Sequence, residues 1–341
     1  MNEFKKIIRL AFVLGAAAVA FVSCKDDDDE DTRSYLDGGV AITSVGAEDM
    51  PQYVKPGDKY VFSASGVKCK KDPSVTVKYY FTNPFTNVRD TLDAGEKFSF
   101  TIADTLSTFN LTCTAFAFNS KDYYTTSASR SFIVVSPVLN SGSLTDFPIY
   151  EDEMTEKIGD KYYYVTEVGG KSWMRQNLAS VREGFGRCYY DSDAMLDIMG
   201  GYYTWEEACK ACPDGWRLPS EADWIALCKA AGAAEAEEFS DIQGAAAGLM
   251  AYTKFNREPM WEYYRGVKAT DKTHFTCIPT GYAIVAGDDC QFVGYANYAA
   301  YWTSSEKNGE GVYRYIYKDK DIVYAGSASK TGFAASVRCV K

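Results

Sequence analysis

The chain has 341 residues, a formal charge of −10 and no basic stripe. This excludes nucleic acid as a partner, because its binders need a basic footprint. Aromatic residues make up 15% of the chain and tyrosine alone supplies 26 positions, a composition common on exported binding surfaces.

The first 24 residues set the expected location. Lys5, Lys6 and Arg9 precede an apolar stretch from Leu10 to Val22, which ends on Ser23-Cys24. That stretch is too short to cross a bilayer and has the layout of a secretory signal, residues 1–23. Small residues before a cysteine resemble the lipobox of bacterial lipoproteins, with Phe21 standing where leucine or valine is usual. The resemblance implies that Cys24 is acylated and becomes the new N-terminus, holding the chain to a membrane through its acyl chains. Removing residues 1–23, which carry Lys5, Lys6 and Arg9 against Glu3, takes the formal charge from −10 to −12. Nothing after residue 23 offers a second apolar run of spanning length. Lys25 followed by Asp26, Asp27, Asp28, Asp29, Glu30 and Asp31 resembles the export tag that carries Bacteroidota lipoproteins to the outer face of the outer membrane. Six like charges also make a solvated tether, which is read here over residues 24–39.

From 40 to 136 the chain reads as short strands with turn punctuation: DKYVFSAS, SVTVKYYF, EKFSFTI, NLTCTAFAF and SRSFIVV. Period-2 alternation with frequent Thr, Tyr and Val predicts an all-β antiparallel sandwich. The pattern resembles immunoglobulin-like or PKD-like modules. It lacks a core tryptophan, and Leu111 stands where a tyrosine would precede the second cysteine. Cys69 and Cys113 are candidates for a bridge, though the VKCKKDP stretch has the character of a turn. The module reads as a spacer. A Ser-, Gly- and Pro-rich segment follows, with a linker at 137–149. All six tryptophans lie beyond residue 170, which marks a domain boundary.

Residues 150–341 read as an α+β domain, so the whole chain is expected to be multi-domain. Thr204 with Glu207 and Ser220 with Asp223 form two capping boxes, heading TWEEACKAC and EADWIALC. CPDGWRLP between them supplies a turn and a short strand. Strands then follow in FTCIPTGYAIV, AAYWTSSE, VYRYIYKD, DIVYAG and ASVRCVK, while GAAAGLM reads as loop or short helix and FNREPMWEYYRG as an irregular, aromatic-rich excursion. Trp224, Leu227, Cys228 and Ala231 recur at helical spacing, which places the Cys228 thiol on a buried face as the unpaired member of an odd set. GGKSWMRQNLA, CYYDSD, GGYYTWEEAC, CPDGWRLPSEADW, YWTSSE and GFAASVRCVK stand in the order found in the Fibrobacter succinogenes major paralogous domain family, so residues 150–341 resemble that family. It is in turn similar to the C-type lectin-like fold, and the resemblance implies a disulfide between Cys212 and Cys339. The remaining cysteines accommodate Cys188 with Cys209 and Cys277 with Cys290.

Catalysis finds little support. Calcium-dependent sugar binding in C-type lectins needs clustered oxygens, but the relevant segments here read Glu258-Pro259-Met260 and Trp302-Thr303-Ser304, and Asp288-Asp289 reads as a solvated turn. GWRLPSEADW resembles formylglycine-generating enzymes, whose paired late thiols have no evident counterpart among Cys277, Cys290 and Cys339. Arg217 and Glu221 are therefore read as holding the start of a helix. His274 lacks an accompanying nucleophile motif and reads as structural. No cofactor or metal is expected. Trp261, Tyr263 and Tyr264 in the excursion, with Tyr295 and Tyr298 in a second tyrosine-rich loop, are the candidate ligand-binding residues, since rings with polar tips stack on sugars or anchor protein partners. Trp302 is expected in the core. The expected protein is a non-enzymatic, lipid-anchored surface protein that binds a glycan, a peptide or a protein. The alternative is an accessory subunit of an outer-membrane import or fibre assembly, with an outer-membrane protein as partner.

Overall fold

The computed structural model describes residues 31–45, 52–105, 108–135, 154–159, 161–182, 184–256, 258–287 and 289–341. Cys24, the signal segment, the acidic run as far as Glu30, the linker 137–149 and Asp288 lie outside the described residues. The chain is mostly β and divides into two compact units, Met1–Met50 with Gly57–Phe132 and Pro51–Pro56 with Ile133–Lys341.

In the first unit, antiparallel strands Ala41–Ser44, Lys59–Ser65 and Phe98–Thr101 form one sheet, and Thr126–Val134, Thr108–Ala117, Val77–Thr82 and Arg89–Leu92 lie in that order in another. Alternation decides which side chains turn inward: Phe109, Leu111, Cys113, Ala115 and Ala117 of one strand are all buried. Phe81 stacks on Phe98 across the two sheets, 4.8 Å apart and nearly coplanar, and Phe62 meets Phe132 at 5.9 Å. Phenylalanine thus does the work that a core tryptophan would otherwise do. Cys113 is a free thiol, as is Cys69, so no bridge joins them. Burial pushes the Cys113 thiol up to about 12.

The second unit opens with an antiparallel meander of Met154–Ile158, Lys161–Val168 and Lys171–Met174. Four short helices follow: α1 (Asp193–Met199), α2 (Trp205–Ala208), α3 (Glu221–Ala231) and α4 (Ala246–Leu249). Both capping boxes form, with the Thr204 and Ser220 hydroxyls accepting from the Glu207 and Asp223 amides and each carboxylate reaching back. α2 lasts a single turn, shorter than TWEEACKAC predicts, and α1 has no counterpart in the sequence reading. Two four-stranded sheets complete the unit. One runs Tyr203–Thr204, Phe333–Ala335, Tyr282–Ala286, Asp289–Val293, and the other Ile242–Gln243, Ile322–Ala328, Glu310–Tyr317, Tyr298–Lys307. The core gathers Trp173, Trp224, Phe275 and Tyr301 on one side and Trp302, Met174 and Leu178 on another.

The C-terminus threads back through this core. Met174 donates its amide to the Cys339 carbonyl at 3.1 Å, Leu178 to Val337 at 2.9 Å, and Arg217 exchanges both backbone bonds with Val340. The Cys212–Cys339 disulfide, with Cα atoms 5.7 Å apart, fastens this last segment beside α2. Cys228 is a free, fully buried thiol on the inner face of α3.

Two charged residues at the head of α3 have separate duties. Arg217 forks onto Asp223 at 2.6 and 2.9 Å. Although burial alone would raise it, this fork and the Ser220 amide hold the Asp223 carboxyl down at about 2. Glu221 instead turns inward, where it is 1% exposed, and grips the wholly buried guanidinium of Arg314 on strand Glu310–Tyr317. Arg314 also donates to the Ser240 carbonyl at 2.6 Å, so one ion pair ties helix, strand and loop together. Substituting Glu221→Ala strands the buried cation and is expected to cost roughly 3 to 5 kcal/mol in urea denaturation, whereas Glu221→Leu with Arg314→Met restores most of it. If the single variant loses under about 1 kcal/mol, the pair is not a structural tie.

Candidate functional site

The excursion predicted around FNREPMWEYYRG leaves the core at Ala251 and returns at Cys277, which bond to each other as Ala251 N–H to Cys277 carbonyl at 3.1 Å. Lys254–Phe255 and Glu258–Pro259 pair as a small antiparallel hairpin. The next two residues, Met260 and Trp261, turn inward. Trp261 is 8% exposed, lies in the main core and donates its indole N–H to the Cys277 carbonyl at 3.1 Å. The expectation that it contacts ligand is therefore corrected: burying its large apolar area anchors the excursion.

Beyond that anchor the chain emerges into solvent. Tyr263 is 85% exposed and Tyr264 44%. Glu262 directs them, because its amide donates to the Ala296 carbonyl at 2.8 Å and its carboxylate pairs with Lys318. Lys318 in turn donates its amide to Asn297 at 3.1 Å. These bonds join the first tyrosine-rich segment to the second, so residues more than 30 positions apart share one region of surface.

Arginines hold the base of the excursion. Asp271, His274 and Thr276 all have φ between 45° and 56°, a left-handed conformation that is costly for a β-branched threonine. The Asp271 carboxylate accepts from the Thr276 amide and hydroxyl at 2.7 and 2.9 Å. Arg175 donates to the His274 carbonyl and Thr276 hydroxyl, and Arg338 to the Phe275 and Thr276 carbonyls at 2.5 and 2.9 Å. His274 thus contributes its backbone to this turn.

Tyr295 and Tyr298 are half-buried. Tyr295 lies 6.0 Å from Tyr189, and burial raises its phenol above the usual range. Tyr298 belongs to a strip that the sequence reading passed over. Tyr324, Tyr315 and Tyr298 stack successively at 4.8 and 4.9 Å, and Tyr282, Phe333 and Tyr313 continue it at 5.2, 5.0 and 4.8 Å. Every ring in it is partly buried, with an edge left at the surface. The available signal was the alternation Tyr313-Arg314-Tyr315-Ile316-Tyr317, which sends arginine and isoleucine inward and the tyrosines to the other face. Gly326 opposite Tyr313 is required, since a Cβ there would come within 2.5 Å of the ring. Burial pushes the Tyr298 and Tyr313 phenols up, so the strip presents neutral hydroxyl-tipped rings at physiological pH.

Two further pairings expected of the cysteines are corrected, as Cys188, Cys209, Cys277 and Cys290 are all free thiols. Cys277 is enclosed in the core with the Tyr301 hydroxyl 3.4 Å from its sulfur, whereas Cys290 sits on strand Asp289–Val293 opposite Val285. Cys209 is exposed at the end of α2 and Cys188 is buried beside Asp193. Burial raises the Cys188 and Cys277 thiols to about 12 and Cys290 to about 11. Among the described residues no group of three or more His, Cys, Asp or Glu could hold a metal ion. Trp302 is fully buried and donates to the Tyr203 carbonyl at 2.7 Å. An open cleft of about 560 Å³ beside Phe185 and Lys210 contains Glu207, but its carboxylate is occupied by Arg187 and the Thr204 and Gly186 amides.

These features define a mostly β domain closed by a disulfide, with aromatic rings on its surface and arginines in its core. Residues 166–341 match the Fibrobacter succinogenes major domain, and the chain belongs to that family. No curated protein and no solved structure matches it.

Proposed function

We propose that the chain is an exported lipoprotein, anchored through acylated Cys24 and carried on the outer face of the outer membrane. In this reading an immunoglobulin-like module spaces a C-type lectin-like head from the bilayer. The head binds a ligand and does not turn it over. The observation that carries the reading is the convergence of the two tyrosine-rich segments, with Tyr263 and Tyr264 projecting into solvent beside the segment that leads into the strip of partly buried rings. The solvent-facing rings of Tyr263 and Tyr264 offer apolar faces and hydroxyl hydrogen bonds to a sugar, and need no deep pocket.

The test is a glycan array probed with the intact mature chain, followed by titration calorimetry on any hit. The double variant Tyr263→Ala/Tyr264→Ala is expected to weaken binding at least about tenfold, since anchoring aromatics are each worth more than about 1 kcal/mol. Its unfolding free energy should stay within about 0.5 kcal/mol of the parent, as both side chains are at the surface. Unchanged affinity removes these rings from the site. Co-purification with an outer-membrane barrel, with no glycan bound, would instead favour an accessory subunit of an import or fibre assembly.

A further inference from the structure

We infer that the ligand of the excursion is an anionic polysaccharide, one bearing carboxylate or sulfate groups; this rests on the glycan-binding reading above and narrows it. The chain carries a formal charge of −10, yet its most exposed aromatic segment is locally cationic. From Tyr263 to Lys272 the sequence is YYRGVKATDK, with Arg265, Lys268 and Lys272 all exposed. None of these three cations has an ion-pair partner among the described residues. The single acid in the segment, Asp271, is 4% exposed and its carboxylate is taken up by Thr276. Glu262, just ahead, is neutralised by Lys318.

Charge complementarity therefore selects a negative ligand at this surface. The rings decide which kind. Protein hot spots sit in desolvated pockets behind a rim that excludes water. Tyr263 stands 85% exposed, without such a rim. Tyr264 lies over Gly266, where any Cβ would meet the ring at 3.3 Å. Rings open to water beside unpaired cations match a sugar chain, whose apolar ring faces stack and whose carboxylates or sulfates accept charge-assisted hydrogen bonds from Arg265 and the lysines. Because the cations are exposed, salt should screen the interaction.

The experiment titrates the intact mature chain with polygalacturonate and, separately, with a neutral glucan of similar length. Polygalacturonate is expected to bind at least about tenfold tighter at low salt, an advantage that shrinks as salt rises. The triple variant Arg265→Ala/Lys268→Ala/Lys272→Ala should lose that advantage while keeping the parental melting curve, and Tyr263→Ala/Tyr264→Ala should weaken binding of any glycan. Equal binding of the two polymers, or an unaltered affinity in the triple variant, overturns the inference but leaves the glycan-binding reading standing. Binding of neither polymer alongside capture of an acidic protein overturns both.

Discussion

Arg338→Met is expected to leave the C-terminal domain without a cooperative unfolding transition at room temperature. Arg338 is completely buried and donates to the Asn177 side-chain oxygen at 2.6 Å, to the Met174 and Phe275 carbonyls at 3.1 and 2.5 Å, and to Thr276 at 2.9 Å. Its guanidinium also lies 4.7 Å from the Phe275 ring centroid and 5.5 Å from that of Tyr301. Burial draws its pKa below the ordinary arginine value, which the Tyr301 contact opposes. Methionine fills similar volume but donates nothing. Four buried acceptors are then left bare, each costing about 1 to 3 kcal/mol, a total comparable to the whole stability of a domain. The Asp271–Thr276 turn is the first part expected to fail, because its left-handed residues depend on outside donors. Near-ultraviolet circular dichroism and thermal melting check this. A sharp transition within about 1 kcal/mol of the parent would mean that other groups satisfy those carbonyls.

The same arginine shows how much of this domain was legible in its sequence. SVRCVK was recognisable as a motif, but nothing local says that its arginine clamps a turn more than 60 residues upstream. Local signals fared better. The capping boxes follow from side chains three residues apart, and the buried Cys228 from helical spacing, because each depends only on the geometry of one turn. Long-range partnerships carry no such periodicity. By position Glu221 supports the start of its own helix, but its carboxylate meets Arg314, 93 residues on. Trp261 groups with its tyrosine neighbours in sequence because all three rings lie in one segment, yet the backbone turns between them, burying one and exposing the others. The tyrosine strip was hidden differently: its rings come from five separate strands and become one surface only when the strands pair.

The second large effect is expected at the disulfide. Cys212→Ser/Cys339→Ser opens a loop spanning 127 positions, and the chain-entropy model gives about 5 kcal/mol for closing a loop of that length. For a domain of this size that corresponds to a melting temperature lower by roughly 10 to 20 °C. Both variants of the pair must be changed together. Cys209 is an exposed thiol three residues before Cys212, on a turn where Lys210 and Ala211 bond back to Glu207 and Ala208, so residues three apart lie on one side. Cys339→Ser alone leaves Cys212 free to join Cys209, and mass mapping of alkylated thiols should find that new bridge in the single variant. The bridge would close only a short loop and restore little of the lost stability. Differential scanning calorimetry of the double variant decides the matter. A shift under about 2 °C would show that the backbone bonds from Met174, Leu178 and Arg217 to the last segment suffice without the covalent tie.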